Sequence, residues 1–138
     1  MSFDLDGLKN FLNENDTFAK SNKIRIETLR EGYAEAVLEI NENSMNALNT
    51  VQGGAIFTLC DLTASGASNS GNDGMIAMGG HITYIRPGTG TKLRATARQL
   101  NRGRHTGIFS VDVFNDEDKL VAHATFNGFA TGEQLVKE

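Results

Sequence analysis

Residues 45–72 read MNALNTVQGGAIFTLCDLTASGASNSGN, and they decide the fold. Between Glu42 and Asp73 the only formally charged residue is Asp61, in the middle of a helical run that opens at Gln52-Gly53-Gly54. That run has apolar side chains on almost every side, the pattern of a helix buried all round. A carboxylate on such a helix must be paired, neutralised or functional, because an isolated buried charge is costly. The Gly71-Asn72-Asp73-Gly74 stretch suits left-handed backbone and stops the helix.

Upstream, Phe3, Leu5, Leu8, Phe11 and Leu12 at near-helical spacing predict a short amphipathic N-terminal helix within residues 1–16, ended by the Asn13–Asp16 cluster. Lys23–Glu27 and Tyr33–Ile40 alternate as strands about an Arg30-Glu31-Gly32 turn, a hairpin. Residues 41–51 read as an irregular, Asn-rich lead into the central helix. Downstream, strands are predicted at Met75–Ile85, Lys92–Leu100, Thr106–Phe114 and Leu120–Ala130, and residues 132–138 form a tail. Lys92, Arg94, Thr96 and Arg98 alternate with Leu93, Ala95 and Ala97, giving one wet face and one buried face. The expectation is an α+β domain over residues 1–138: one long central helix wrapped by a curved antiparallel sheet of five to six strands.

Composition narrows the function. A net charge of −4 offers no electrostatic reason for a nucleic-acid or anionic-membrane partner. No run approaches the roughly 18 apolar residues of a membrane span, and the acidic start MSFDLDGLKN does not resemble a signal peptide. A single Cys cannot build an internal disulfide, and with the absence of a signal pattern it fits a reducing, cytoplasmic setting. His81, His105 and His123 are too scattered to imply a metal site, and no phosphate-loop or dinucleotide fingerprint is present.

The candidate chemistry lies on the helix. Gly53 and Gly54 stand where backbone N–H groups are unsatisfied and the helix dipole is positive, a place suited to a carbonyl oxygen gaining negative charge. Two glycines that merely permit a tight turn are the plainer alternative. Asp61 lies eight residues beyond Gly53, roughly 12 Å along the axis at 1.5 Å per residue. The two cannot act on one carbonyl within one chain. Two helices packed antiparallel across a two-fold axis would bring them together, which predicts a homodimer with two shared sites. The bland reading of Asp61 is a carboxylate paired with Thr58, Ser65 or a backbone amide. Cys60 beside it reads as a buried structural thiol.

The pattern NxxxxxQGGAxFxLxD, a strand ending ITYIRPG, then ATA and NRGRHTG resembles a hotdog-fold acyl-CoA thioesterase of the phenylacetate-degradation (PaaI-like) subfamily. The likeness runs from about Lys23 to Ala130. It implies dimers that join two sheets edge to edge, with dimers often pairing again into homotetramers. It further implies Asp61 as nucleophile or general base, the Gly53 N–H as the carbonyl-polarising donor, and Asn46 as the residue placing substrate or water. No cofactor is implied beyond coenzyme A as part of the substrate. Two positions depart from the family pattern: Gln52 replaces the usual His, and Ala77 stands where some relatives carry a water-holding Ser, with Thr83 or Ser68 as possible stand-ins. Gln cannot shuttle a proton near neutral pH. Gln52, with Asn46, is therefore expected to position substrate if the family His only orients the loop or thioester, and to leave activity weak or redirected if that His handles protons.

Arg86, Arg102 and Arg104, with Gly103 between the last two, are the candidates for coenzyme A phosphates. His81 is a candidate acyl-pocket residue. The resemblance implies hydrolysis of aryl- or short- to medium-chain acyl-CoA. The rivals are a non-catalytic acyl-CoA sensor and a hotdog hydroxyacyl-thioester dehydratase, the latter disfavoured because no His stands beside the helix.

Overall fold

The computed structural model describes residues 3–137. The outermost ends of the expected N-terminal helix and tail, residues 1–2 and 138, lie outside them. The elements are α1 (Leu5–Asn15), α2 (Thr17–Ser21), β1 (Ile24–Arg30), β2 (Tyr33–Glu39), a 3-10 turn (Glu42–Ser44), α3 (Gly53–Ser68), β3 (Met75–Tyr84), β4 (Lys92–Arg102), β5 (Thr106–Phe114) and β6 (Leu120–Ala130). The six strands form one antiparallel sheet in the order β1-β2-β4-β5-β6-β3. Strands of one hairpin are neighbours, and β3 crosses to the far edge.

The sheet can curl tightly round α3 because its inner face is lined with small side chains. Ala34 pairs with Ala97 and Ala36 with Ala95; Val111 pairs with Ala97 and Ala124, and Val113 with Ala95 and Ala122. All are buried. The helix answers with Gly66, where an added Cβ would lie 2.8 Å from Leu29 Cδ2 and 3.3 Å from Ala34 Cβ. Leu59, Leu62 and Ile56 fill the remaining space.

The expected N-terminal helix is α1, and a second, shorter helix follows it. Asp16 ends α1, as the Asn13–Asp16 cluster predicts, and caps the five-residue α2, which the sequence pattern does not predict. Asn13 explains the placement of α1. Its Nδ2 donates to the Ile26 carbonyl at 2.9 Å, and its Oδ1 accepts from the Ile26 N–H at 2.7 Å, beside the bulge between Ile26 and Thr28. One free edge of the sheet is thereby occupied. The other edge, β3, has no strand partner beyond β6 among the described residues, and it presents Ile76, Met78 and Tyr84 to the outside.

Two further boundaries differ from expectation. The left-handed residues Asn72 and Gly74 lie in the loop beyond α3 and not at its cap, Asn69. The tail is docked: Asn72 Oδ1 accepts from the N–H groups of Leu135 and Val136, and its Nδ2 donates to the Val136 carbonyl.

Candidate active site

Helix α3 is not buried all round. Ile56, Leu59, Cys60, Leu62, Thr63, Ala64, Gly66 and Ala67 face the sheet and core, whereas Gly54, Thr58, Asp61, Ser65 and Ser68 form a half-buried to exposed stripe at helical spacing. The sheet covers only one flank of the helix, so the apolar pattern exceeds what a single chain can bury. Asp61 is accordingly exposed within the chain, a correction to the expectation of a buried carboxylate.

The start of α3 is capped by Gln52. Its side-chain oxygen accepts from Gly54 N–H at 2.5 Å and Ala55 N–H at 3.2 Å. Gly54 suits the cap, since a Cβ there would lie 2.6 Å from that oxygen. Gln52 thus satisfies two of the orphan donors, and the Gly53 N–H has no acceptor among the described residues. The Gly53 carbonyl accepts a 2.8 Å hydrogen bond from Tyr84 Oη, and a Cβ on Gly53 would meet the Tyr84 ring at 3.1 Å. Sequence reasoning missed Tyr84, although it lies within the ITYIRPG strand end.

Asn46 stands in the loop before the helix. Its Oδ1 accepts from the N–H groups of Leu48 and Thr50, and its Nδ2 donates to Thr50 Oγ1 at 3.0 Å. The side chain shapes its own loop. Asn46, Gly53, Tyr84 and Arg86 line one cleft of about 330 Å³.

Asp61 belongs to a different cleft, of about 250 Å³, shared with Ala77, Ser65, Ser68, Asp16 and the wall residues Phe109 and Phe126. Its carboxylate has no hydrogen-bond or ion-pair partner among the described residues. Thr58 Oγ1 donates to the Gly54 carbonyl, and neither Thr58, Ser65 nor a backbone amide donates to Asp61 among the described residues, so the bland alternative of an internally paired carboxylate is not what is found. Desolvation in the cleft raises the Asp61 pKa, and the negative charge of Asp16 raises it further. Ala77 and Ser68 do lie in this cleft, while Thr83 does not. From the sequence, Ser65 is only an alternative partner for Asp61 and Asp16 only part of a helix terminator; their place in this cleft comes from the fold. Cys60, buried beneath, has its thiol pushed up to about 12 by burial, with Asp112 and Asp61 adding repulsion, and is unreactive.

Other candidates separate. His81 faces away from the helix: a Cβ on Gly80 would touch Phe126 and Phe57, and Ile82 packs on the core, so strand alternation turns His81 outward. His81 lines neither of the two clefts within the chain. Arg102 is ion-paired with Asp73 and also donates to the Gly103 carbonyl, so its guanidinium is engaged rather than free for phosphate. Arg86 and Arg104 are exposed. Strand register sets them at opposite ends of the sheet, Arg86 beyond Tyr84 and Arg104 in the hairpin beside the Met75 end. Among the described residues no His/Cys/Asp/Glu cluster could hold a metal ion, and no helix is long and apolar enough to cross a membrane.

The thioesterase superfamily model matches residues 48–122, from the loop before α3 into β6. The acyl-coenzyme A thioesterase PaaI of Escherichia coli is 33% identical over 110 residues, covering 79% of each chain. The structure of E. coli PaaI superposes with a TM-score of 0.84 at 27% identity, over 92% of this chain and 98% of that one. A hypothetical thioesterase protein of Streptococcus pneumoniae, solved with coenzyme A, superposes at 0.81 with 28% identity, over 92% and 98% of the two chains. Helix, wrapped sheet and matched sequence agree, and the chain belongs to the thioesterase superfamily as a PaaI-like hotdog protein.

Proposed function

We propose that this thioester hydrolase acts on acyl-coenzyme A, releasing free acid and coenzyme A, at sites shared between two copies of the chain. The observation that carries the reading is the division of the machinery. An unoccupied helix N–H at Gly53 and a partnerless carboxylate at Asp61 lie on one helix but in two clefts. Antiparallel pairing of two α3 helices, with the open β3 edges joined, sets the Gly53 half of one copy against the Asp61 half of the other. The E. coli and S. pneumoniae relatives support acyl-CoA as the substrate.

In this reading the thioester carbonyl oxygen rests at the Gly53 N–H, where the helix dipole favours the developing negative charge. Ionised Asp61 of the other copy attacks the carbonyl carbon or takes a proton from water that does so. Its raised pKa makes it a stronger base than an ordinary carboxylate. The thiolate departs without a general acid, consistent with Gln52 as a cap and not a proton carrier. Arg86 and Arg104 are the free cations for the coenzyme's phosphates. Phe109 and Phe126 give the Asp61 cleft an apolar wall suited to aryl or short- to medium-chain acyl groups.

The test uses thiol release from a panel of aryl- and alkyl-CoA thioesters. Asp61→Asn should abolish turnover. Gly53→Pro removes the N–H at the first helical position, where Pro is tolerated, and Gly53→Ala controls for the added carbon. Mixing unfolded-and-refolded Asp61→Asn with Gly53→Pro should restore about a quarter of wild-type turnover, since half the dimers are mixed and each keeps one of two sites. Two inactive variants that stay inactive after mixing would reject the shared site. Acyl-CoA binding by a wild type that hydrolyses none of the panel would reject the enzyme. Separately, Met78→Lys on the open β3 edge should yield a folded monomer without turnover, read by light scattering beside the assay.

A further inference from the structure

We propose that Asp16 is a positioning residue of the Asp61 cleft, a second carboxylate locked at the α1–α2 corner whose fixed negative charge sustains the basicity of Asp61. The inference rests on the reading of Asp61 as the reacting carboxylate. Asp16 lines the same cleft and is held from both sides. Its N–H donates to the Leu12 carbonyl at 3.0 Å, closing α1, and its carbonyl accepts from Lys20 N–H at 3.0 Å. One carboxylate oxygen accepts from Ala19 N–H at 3.1 Å as the cap of α2. The corner itself is pinned by buried Leu8 and Leu12 and by Asn13 on Ile26.

Capping alone does not call for a charge. Asn and Ser cap a helix about as well as Asp does. Asp16 instead lines a cleft to which the described residues contribute no cation that could compensate its charge. Strands β3, β5 and β6 contribute only uncharged side chains to that cleft, and α3 contributes Asp61 together with Ala64 and two serines. Cys60, next to Asp61, is a neutral thiol. Asp16 is therefore the one other titratable group that the described residues turn toward Asp61. Its repulsion acts in the same direction as desolvation, raising the Asp61 pKa. A base whose pKa is raised toward the working pH transfers protons more effectively in its ionised form.

Asp16→Asn separates charge from cap, because Asn keeps the acceptor for Ala19 N–H. The Asp61 carboxyl is followed by carbon-13 NMR through an acid titration, its resonance assigned by its loss in Asp61→Asn. The acid limb of kcat/KM is recorded in parallel. In Asp16→Asn the Asp61 midpoint should move to lower pH, the acid limb should move with it, and turnover at neutral pH should fall. Asp16→Ser, a second neutral cap, should do the same and covers the case in which Asn perturbs the corner. Midpoints unmoved in folded Asp16→Asn and Asp16→Ser overturn the role of Asp16. Full turnover by Asp61→Asn would instead overturn the underlying assignment of Asp61, whatever its titration shows.

Discussion

Tyr84 Oη donates a 2.8 Å hydrogen bond to the carbonyl of Gly53, 31 residues earlier in the chain. It ties the end of the open edge strand to the first residue of α3. The peptide unit that begins with Gly53 is thus held on its carbonyl side by the strand, while Gln52 holds the following N–H groups. A donor aimed at an oxyanion is effective only if it is fixed in advance. Tyr84→Phe removes the hydroxyl and leaves the ring, and a hydrogen bond of this kind is worth about 1 kcal/mol. If that energy appears in the transition state, kcat/KM falls about fivefold. Steady-state thiol release checks it, with thermal melts as the control for folding; the melting temperature should fall by only a few degrees, leaving the variant folded at assay temperature.

Asp61 imposes a stability penalty with a defined pH sign. Its folded-state pKa is raised, first by desolvation and then by Asp16, so the native state binds its proton more tightly than the unfolded chain does. The contribution of this group to stability is complete below the unfolded-state pKa. It is lost as pH rises through the folded-state value. Asp61→Asn mimics the protonated form, so the variant should melt above the wild type at neutral pH, and the gap should close on acidification. Thermal melts across pH measure it. A variant that melts below the wild type at neutral pH would contradict the desolvation argument.

Gly80 is a packing requirement. A Cβ there would lie 2.5 Å from Phe126 Cε1 and 3.2 Å from Phe57 Cζ, and those two rings already pack with centroids 5.4 Å apart. Gly80→Ala must push an aromatic ring aside, and overpacking of this kind costs about 1–3 kcal/mol. Denaturant unfolding should show that loss, and because Phe126 walls the Asp61 cleft, the relative rates on bulky and small acyl groups should change as well.

The sequence by itself determined the large features. Period-two alternation in 92–100 and 106–114, and an apolar run punctuated by Gly53-Gly54 and closed near 71–74, specify strands and a core helix through burial alone, which is local information. Asp61 as the anomaly on that helix was legible for the same reason: one charge in thirty residues of neutral chain must have a purpose. Other features depended on contacts between residues far apart in the chain. The outward turn of His81 follows from the β3–β6 pairing and its bulge. The pairing of Arg102 with Asp73 and the clamp of Tyr84 on Gly53 span 29 and 31 residues. Asp16 comes to face Asp61 only because Asn13 and Leu12 dock α1 on β1 and the core. The open flank of α3 was likewise invisible, since an apolar pattern reports that a surface is to be buried but not whether its own chain supplies the cover. Tertiary structure decided that the sheet covers one flank and leaves Asp61 and Gly54 on the other.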